Sequence, residues 1–395
     1  MTNDVRVAGV GMVPFLKPSQ GGKYEELGAA AVRAALADSG LPYTDVQEAY
    51  ASYIYGDSTC GQVVLYDLGL TGIPIVNVNN NCASGSTALW QARKSVASGE
   101  VDVALAVGFE QMRPGAIGSN WDDRQAPSLP HFMRLNELFG FDLTIPPAAQ
   151  LFGGAAAAHM EKFGTKPETF ARIAVKARQH AANNPYAVFT DQLTVEDVLA
   201  SPVQSGVLTR LQCCPPTSGA AAVVLVSADY ARKKGLDGRV RIAGQGFTSD
   251  TPGSFTGDAR HVVGFDLATE AARQAYTQAG IGPDDVPVVE LHDCFTANEL
   301  LLYEALGFTP EGTAEKFILD GDNTYGGRVV TNPSGGLLSK GHPIGATGLA
   351  QCAELTWQLR GQAGARQVED AKVAVQHNMG IGSACVVTVY EAVNG

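Results

Sequence analysis

Two residues with complementary chemistry occupy matching surroundings in distant parts of the chain. Cys82 lies in NNNCASGSTALWQ and His342 in LSKGHPIGATGLAQ. Placing Cys82 over His342 also aligns Gly85 with Gly345, Thr87 with Thr347, Leu89 with Leu349 and Gln91 with Gln351. A nucleophile in one copy of a motif and a base in the other is the pattern of a duplicated unit turned into a two-part active site. Cys82 follows an apolar run, IPIVNVN, and precedes an Ala/Ser/Leu-rich helix pattern. A thiol at a helix N-terminus is expected to ionise below its usual value of about 8.5. A loop histidine near its ordinary pKa can take that proton, as in other Cys–His pairs.

Two further segments carry reactive groups. In HDCFTANELL (292–301), His292 and Cys294 are two apart, so an extended turn presents both to one site and turns Asp293 away. Asp293 reads as a cap or turn residue, and Glu299 as either helix surface or a partner orienting His292. QHNMGIGSAC (376–385) has a Gly-x-Gly without the spacing of a dinucleotide fingerprint. It suits a close backbone turn whose amides face an oxyanion. Cys60, Cys213, Cys214, Cys352 and Cys385 lack metal-ligand spacing and read as packing. His131, His159, His180, His261 and His377 read as surface or satisfied core groups.

These segments need a scaffold, and the repeat supplies it. LGAAAVRAALADSGLPYTDV (27–46) matches LATEAARQAYTQAGIGPDDV (267–286) at Leu27/Leu267, Ala31/Ala271, Ala35/Ala275 and Gly40/Gly280, among others. VDVALAVG (101–108) falls over VAVQHNMG (373–380). Three matched segments in one order define two halves. Apolar strands alternate with helices predicted over 25–39, 62–69, 84–98, 267–279, 297–306 and 346–360, which implies sheets covered on both faces. Residues 116–215 interrupt this order with eight prolines and an amphipathic stretch, PETFARIAVKARQHAANN. The expected organisation is therefore a first half over 1–115, an insertion over 116–215, a return to the first half over 216–265, and a second half over 266–395.

With 395 residues, 17% charged residues, 45 glycines and a formal charge of −12, the chain excludes nucleic-acid binding through a basic surface. An anionic substrate has to meet a local basic patch. Lys166, Arg172, Lys176 and Arg178 are candidates by position, a solvated helix face being the competing reading. No apolar run reaches the roughly 18 residues of a membrane span. The start lacks a secretory pattern and the end, AVNG, is not a peroxisomal address. A cytoplasmic location with reduced thiols is expected.

The Cys82 and His342 motifs, in duplicated halves flanking an insertion, resemble the thiolases. Where conventional thiolases carry Asn-Glu-Ala-Phe this chain has His292-Asp293-Cys294-Phe295, and Asn378 stands in place of their second catalytic cysteine. Both departures are similar to the sterol-carrier-protein-type thiolases. The resemblance implies an α/β thiolase fold: duplicated βαβαβαββ halves in five layers, α/β/α/β/α, with the insertion covering coenzyme A. It implies Cys82 as acyl acceptor, His342 as its activator and Cys294 as the acid/base at the substrate α-carbon. His292 and His342 would line one oxyanion hole, and the amides of Cys82 and Gly380 the other. A homodimer, acyl-CoA and CoA as substrates, no resident cofactor and no metal follow in the same way. With the last strand close to Gly395, no fused lipid-carrier domain is expected. The implied reaction is thiolysis of a 3-ketoacyl-CoA in fatty-acid or sterol side-chain degradation. The alternatives are a decarboxylating ketoacyl synthase, or an aldolase-type or lipid-transfer subunit acting on steroid CoA esters.

Overall fold

The computed structural model describes residues 3–115, 118 and 121–394. The first half runs β1 (Val5–Met12), α1 (Tyr24–Ser39), β2 (Glu48–Ser52), α2 (Cys60–Tyr66), β3 (Ile75–Val78), α3 (Ser84–Ser98) and β4 (Val103–Glu110). The insertion holds α4 (Leu129–Phe139), α5 (Pro147–Phe163), α6 (Pro167–Ala181), α7 (Val195–Ala200) and a hairpin of β5 (Val203–Ser205) with β6 (Leu208–Thr209). The chain returns through β7 (Gly219–Ser227), α8 (Ala228–Lys234), β8 (Val240–Thr248), α9 (Gly253–Thr256) and α10 (Ala259–Val262). The second half continues with α11 (Phe265–Ala279), β9 (Val288–Glu290), α12 (Thr296–Ala305), α13 (Ala314–Leu319), β10 (Val330–Thr331), α14 (Gly336–Ser339), α15 (Thr347–Arg360), β11 (Val373–Gly380) and β12 (Ala384–Ala392).

Strand order displays the duplication. One half reads β3-β2-β4-β7-β1 and the other β10-β9-β11-β12-β8, and the two meet at β1 and β8. That junction is a single residue pair, Arg6 with Arg241. In each half the three outer strands are parallel and the inner two antiparallel. The stretch 216–265, expected to return to the first half as a piece, divides instead. β7 pairs with β1 and β4, whereas β8 pairs with β12 over Thr248–Val240. The signal lay outside the matched motifs, since β8 (VRIAGQGFT) repeats β1 (VRVAGVGM) at Val5/Val240, Arg6/Arg241, Ala8/Ala243, Gly9/Gly244 and Gly11/Gly246. β10 was hidden in a Gly/Pro-rich connection, since a two-residue strand carries no periodicity of its own.

Helices α3 and α15 lie between the sheets, and their Ala88, Leu89, Ala92, Leu349, Ala350 and Ala353 are completely buried with residues from both halves. α1 covers the outer face of one sheet and α11 that of the other, giving the five layers. The outer contacts explain the conserved spacing of the repeat within this chain. Glycines in β1 face α1: a Cβ on Gly9 or Gly11 would lie 2.3 Å from the carbonyl oxygens of Ala35 and Ala31. Gly244 and Gly246 of β8 stand in the same relation to Ala275 and Ala271 of α11, at 2.2 and 2.0 Å. Backbone rests on backbone at four equivalent places, which only glycine allows.

Gly246→Ala is therefore expected to lower unfolding free energy by about 2 kcal/mol or more through overpacking against a helix backbone. A urea-denaturation midpoint equal to that of the unmodified protein would contradict the close packing.

Candidate active site

Cys82 lies just before α3, in a turn that puts Asn81 in the left-handed region at φ 50°. The loop of His342 reaches the same place from the other half. His342 N donates to Thr217 Oγ1 at 2.6 Å, fixing the loop against the strand that leads out of the insertion. One ligand atom each from Cys82, His342 and His292 falls within 4.8 Å of the others. The two imidazole rings are edge to face with centroids 5.1 Å apart. All three side chains are buried.

The proton on His342 can be placed. Its Nδ1 lies 2.7 Å from Thr347 Oγ1, and that hydroxyl donates to the Pro343 carbonyl at 3.1 Å. Thr347 must then accept from Nδ1–H, which leaves the lone pair on Nε2. Nε2 is buried and finds no hydrogen-bond partner among the described residues. His342 is thus set up as an acceptor at the atom facing the site.

The expected low-pKa thiolate is not what the site holds at rest. Burial pushes the Cys82 thiol up to about 12, with the Glu110 carboxylate adding to the rise, while two backbone amides pull it down. Burial also lowers His342 to about 3. The amides near the start of α3 do act in the expected direction, but desolvation is the larger effect. The resting pair is a neutral thiol and a neutral imidazole.

Cys294 and His292 both line the cavity that contains Cys82 and His342. Asn298 of α12 holds the turn by donating to the His292 carbonyl at 2.5 Å. Asp293 points away and accepts from the amides of Leu337 and Leu338 at 2.7 and 3.3 Å, so it caps α14 rather than its own helix. Glu299 matches neither expectation: it is buried, and its hydrogen bonds go to Lys176, Tyr303 and Asn332 and not to His292. This removes Lys176 from the phosphate candidates, because its ammonium is committed to Glu299 inside the protein. Lys166 and Arg172 are exposed on the flank of α6. Arg178 reaches the cavity wall, stacked 4.5 Å over Phe189.

The cavity measures about 660 Å³ and is mostly apolar. Pro146, Ala149 and Phe152 from the insertion form part of its lining, with Leu338 and Met379 from the second half. The reading of Cys213 and Cys214 as packing needs correction, since both line this cavity. Cys214 N donates to the Cys294 carbonyl at 2.9 Å in a short antiparallel contact between Cys213 and Phe295. Nothing in LQCCP betrays that pairing, which joins distant segments. Arg210 at the cavity and Glu110 beneath it were also missed. Glu110 accepts from the amides of Tyr55 (2.8 Å), Ile54 (3.2 Å) and Gly345 (2.9 Å), tying the His342 loop to β4. Burial raises its carboxyl to about 7 against the pull of those amides. A charged residue closing the apolar run VDVALAVGFE was the available signal.

Asn378 and Gly380 arrive on β11. Asn378 Nδ2 is 3.0 Å from His292 Nδ1. A Cβ on Gly380 would lie 2.3 Å from the Asn80 carbonyl and 3.1 Å from Cys82 N, so glycine is required for strand and loop to meet. Among the described residues only Cys82, His292 and His342 are spaced to hold a metal ion. An ion there would occupy the electron pairs of both nucleophile and base.

Residues 5–229 match the family described as thiolase, N-terminal domain, and residues 255–392 that described as thiolase C-terminal domain-like. The chain belongs to the thiolase family. Within it, the chain stands with the sterol-carrier-protein-type thiolases. It is 52% identical over 392 residues to sterol carrier protein 2 of Homo sapiens, covering 98% of this chain and 72% of that protein. It is 38% identical over 389 residues to the benzoylsuccinyl-CoA thiolase subunit BbsB of Thauera aromatica, covering 96% and 95%. Among solved structures, the Ltp2-ChsH2(DUF35) aldolase superposes with a TM-score of 0.84 at 28% identity, covering 98% of each chain.

The neutral resting thiol has a direct consequence. The rate of Cys82 alkylation by iodoacetamide, followed by peptide mass spectrometry, should climb with pH through 8 to 10 without a plateau. A plateau below pH 7 would show a resting thiolate and contradict the effect of burial.

Proposed function

We propose that this chain is a 3-ketoacyl-CoA thiolase, cleaving its substrate with CoA through an acyl group on Cys82. The observation that carries the reading is the buried meeting of Cys82, His342 and His292 beside Cys294 in an apolar cavity. The Cys82 thiol gives its proton to His342 Nε2 as Sγ attacks the 3-keto carbon. The C2–C3 bond then breaks, and the electron pair left on C2 takes a proton from the Cys294 thiol. CoA thiol, passing its proton to the Cys294 thiolate, next attacks the acyl-Cys82 carbonyl; the bond to Sγ breaks, Cys82 regains its proton from His342, and the shortened acyl-CoA is released.

Charge develops on two oxygens along this path. The keto oxygen of the acyl group faces the amides of Cys82 and Gly380, and the thioester oxygen of the departing acetyl unit faces His292 and His342. Each such donor is worth roughly 2.7–4 kcal/mol of barrier. Burial raises the Cys294 thiol well above its usual range, with Cys214 and Cys82 adding to it. A thiol held protonated suits the donor in the cleavage direction. Arg178 and Arg210 are the cations available to CoA phosphates, and no resident cofactor enters any step. Asn378, which has no proton to transfer at neutral pH, serves by holding His292.

An aldolase is the second reading, supported by the likeness to the Ltp2-ChsH2(DUF35) aldolase. It would break a C–C bond without CoA and without an acyl-enzyme. A panel of short, branched and steroidal 3-ketoacyl-CoAs, each with and without CoA, separates the two and sets the chain preference. CoA-dependent cleavage with an acyl group recovered on Cys82 supports the thiolase. Cleavage that ignores CoA refutes it.

Cys294→Ala should divide the half-reactions. Transfer of acetyl from acetyl-CoA to Cys82 should survive, because His342 remains. Exchange of acetyl-CoA methyl protons with deuterated water should fall about 100- to 10,000-fold. Exchange at the unmodified rate would make Cys294 structural.

A homodimer through the β3 edge completes the proposal. β3 ends its sheet, and Val76 on it stands with Val63, Tyr66 and Leu70 as exposed large apolar side chains. An uncovered sheet edge with apolar neighbours is a pairing surface. Light scattering at micromolar concentration should give twice the chain mass, and a monomer would count against this interface.

A further inference from the structure

His292 receives a side-chain amide whose orientation is fixed by a relay of buried polar groups. The chain of logic starts at Gln376 in β11. One atom of its amide lies 2.6 Å from the Gly348 carbonyl oxygen. A carbonyl only accepts, so that atom is Nε2, and Oε1 on the other side accepts the Tyr390 hydroxyl at 2.5 Å. Nε2 also reaches Ser86 Oγ at 2.7 Å. Ser86, accepting there, directs its own hydrogen to Asn378 Oδ1 at 2.9 Å. With its oxygen engaged, Asn378 presents Nδ2 to His292 Nδ1 at 3.0 Å. An amide nitrogen only donates, so Nδ1 must hold the lone pair and the ring hydrogen of a neutral His292 sits on Nε2.

Every member of this relay is buried, where a donor facing a donor carries its full desolvation cost. The crossing of α3, α15 and β11 that permits it has no room to spare. A Cβ on Gly348 would come 2.2 Å from Ser86 Oγ and 2.7 Å from Asn378 Oδ1. The two neighbouring imidazoles therefore carry opposite tautomers. Thr347 leaves His342 a lone pair at Nε2, and Asn378 gives His292 a hydrogen there.

We propose that Tyr390, Gln376 and Ser86 are positioning residues that lock the Asn378 amide and so hold His292 as an Nε2–H donor, making it an oxyanion ligand and not a base. The role of the donor rests on the thiolase reading given above, whereas the tautomer does not. The relay also gives Asn378 a physical reason: an amide can be locked as a donor, and a carboxylate in its place cannot donate.

Two-bond 1H–15N correlation spectra of [15N]histidine-labelled protein report which ring nitrogen carries hydrogen. With seven histidines in the chain, His292→Gln assigns the signal. The unmodified protein should show Nε2–H at His292. Asn378→Asp, nearly isosteric, accepts from Ser86 and from the ring, and should convert His292 to Nδ1–H. With it, kcat for 3-ketoacyl-CoA cleavage should fall roughly 100- to 1,000-fold, the loss of one oxyanion donor, with KM changed less than about threefold. Ser86→Ala unlocks the amide without touching the substrate, and should give a mixed tautomer and about a tenfold loss in kcat. An Nδ1–H signal in the unmodified protein overturns the proposal, and that spectrum decides even if a variant fails to fold. An unchanged tautomer in Asn378→Asp overturns it too. An Nε2–H signal in a protein that cleaves no 3-ketoacyl-CoA leaves the relay standing and removes the reaction assigned to it.

Discussion

Cys82 and His342 lie 260 residues apart, and what brings them together is backbone packed on backbone where the two halves touch. A Cβ on Gly85 would be 3.0 Å from the Gly345 carbonyl, one on Gly108 would be 2.3 Å from the same oxygen, and one on Gly345 would be 2.6 Å from Tyr53 Cα. Gly85 and Gly345 hold equivalent places in the repeat and Gly108 lies near the end of β4, so each half offers the other a surface without side chains. Ser52 Oγ donates to the Gly345 carbonyl at 2.7 Å and Glu110 accepts the Gly345 amide at 2.9 Å, pinning the two peptide units on either side of one residue. If that contact opened, the Cys82 thiol and the His342 imidazole would separate, and no side chain could bridge the gap.

So tight a contact has an electrostatic consequence. It excludes water from the cysteine and both histidines, and burial moves each toward its neutral form: the thiol up, the imidazoles down. A site built this way does not store a thiolate. It stores directed lone pairs and hydrogens, with charge appearing only when a substrate oxygen can share it. That is why the orientations of Thr347 and Asn378 matter more here than any nearby formal charge, and why a net charge of −12 does not disable the site.

Much of this was legible in the sequence because duplication writes the same constraint twice. The match of Ala31 to Ala271 and Ala35 to Ala275 marked the places where strand glycines meet helix backbone. The alignment of Cys82 with His342 located two loops that meet at the cavity. Periodicity placed the buried helices α3 and α15 to within a residue or two of their observed ends. What stayed hidden depends on partners from elsewhere in the chain. Lys176 looked like a solvated cation until Glu299 arrived from α12, and Cys214 gained its place from a backbone contact with Cys294. The charge states of Cys82 and His342 were misjudged for the same reason: a helix terminus is visible in a sequence, and the depth of its burial is not.

The two halves have also specialised unequally. The first supplies Cys82 and keeps a plain turn around it, whereas the second supplies His292, Cys294, His342, Asn378 and Gly380. The insertion adds Phe152, Arg178 and Cys214 to the cavity without entering either sheet. Reactive groups are thereby carried on rigid strand ends and helix starts, and part of the apolar cavity wall is carried on a separate set of helices and loops. Substitutions in the insertion can reshape the cavity while the backbone contact that joins Cys82 to His342 stays untouched. A fold divided in this way can change the shape of its cavity and keep the arrangement of reactive groups at one end of it.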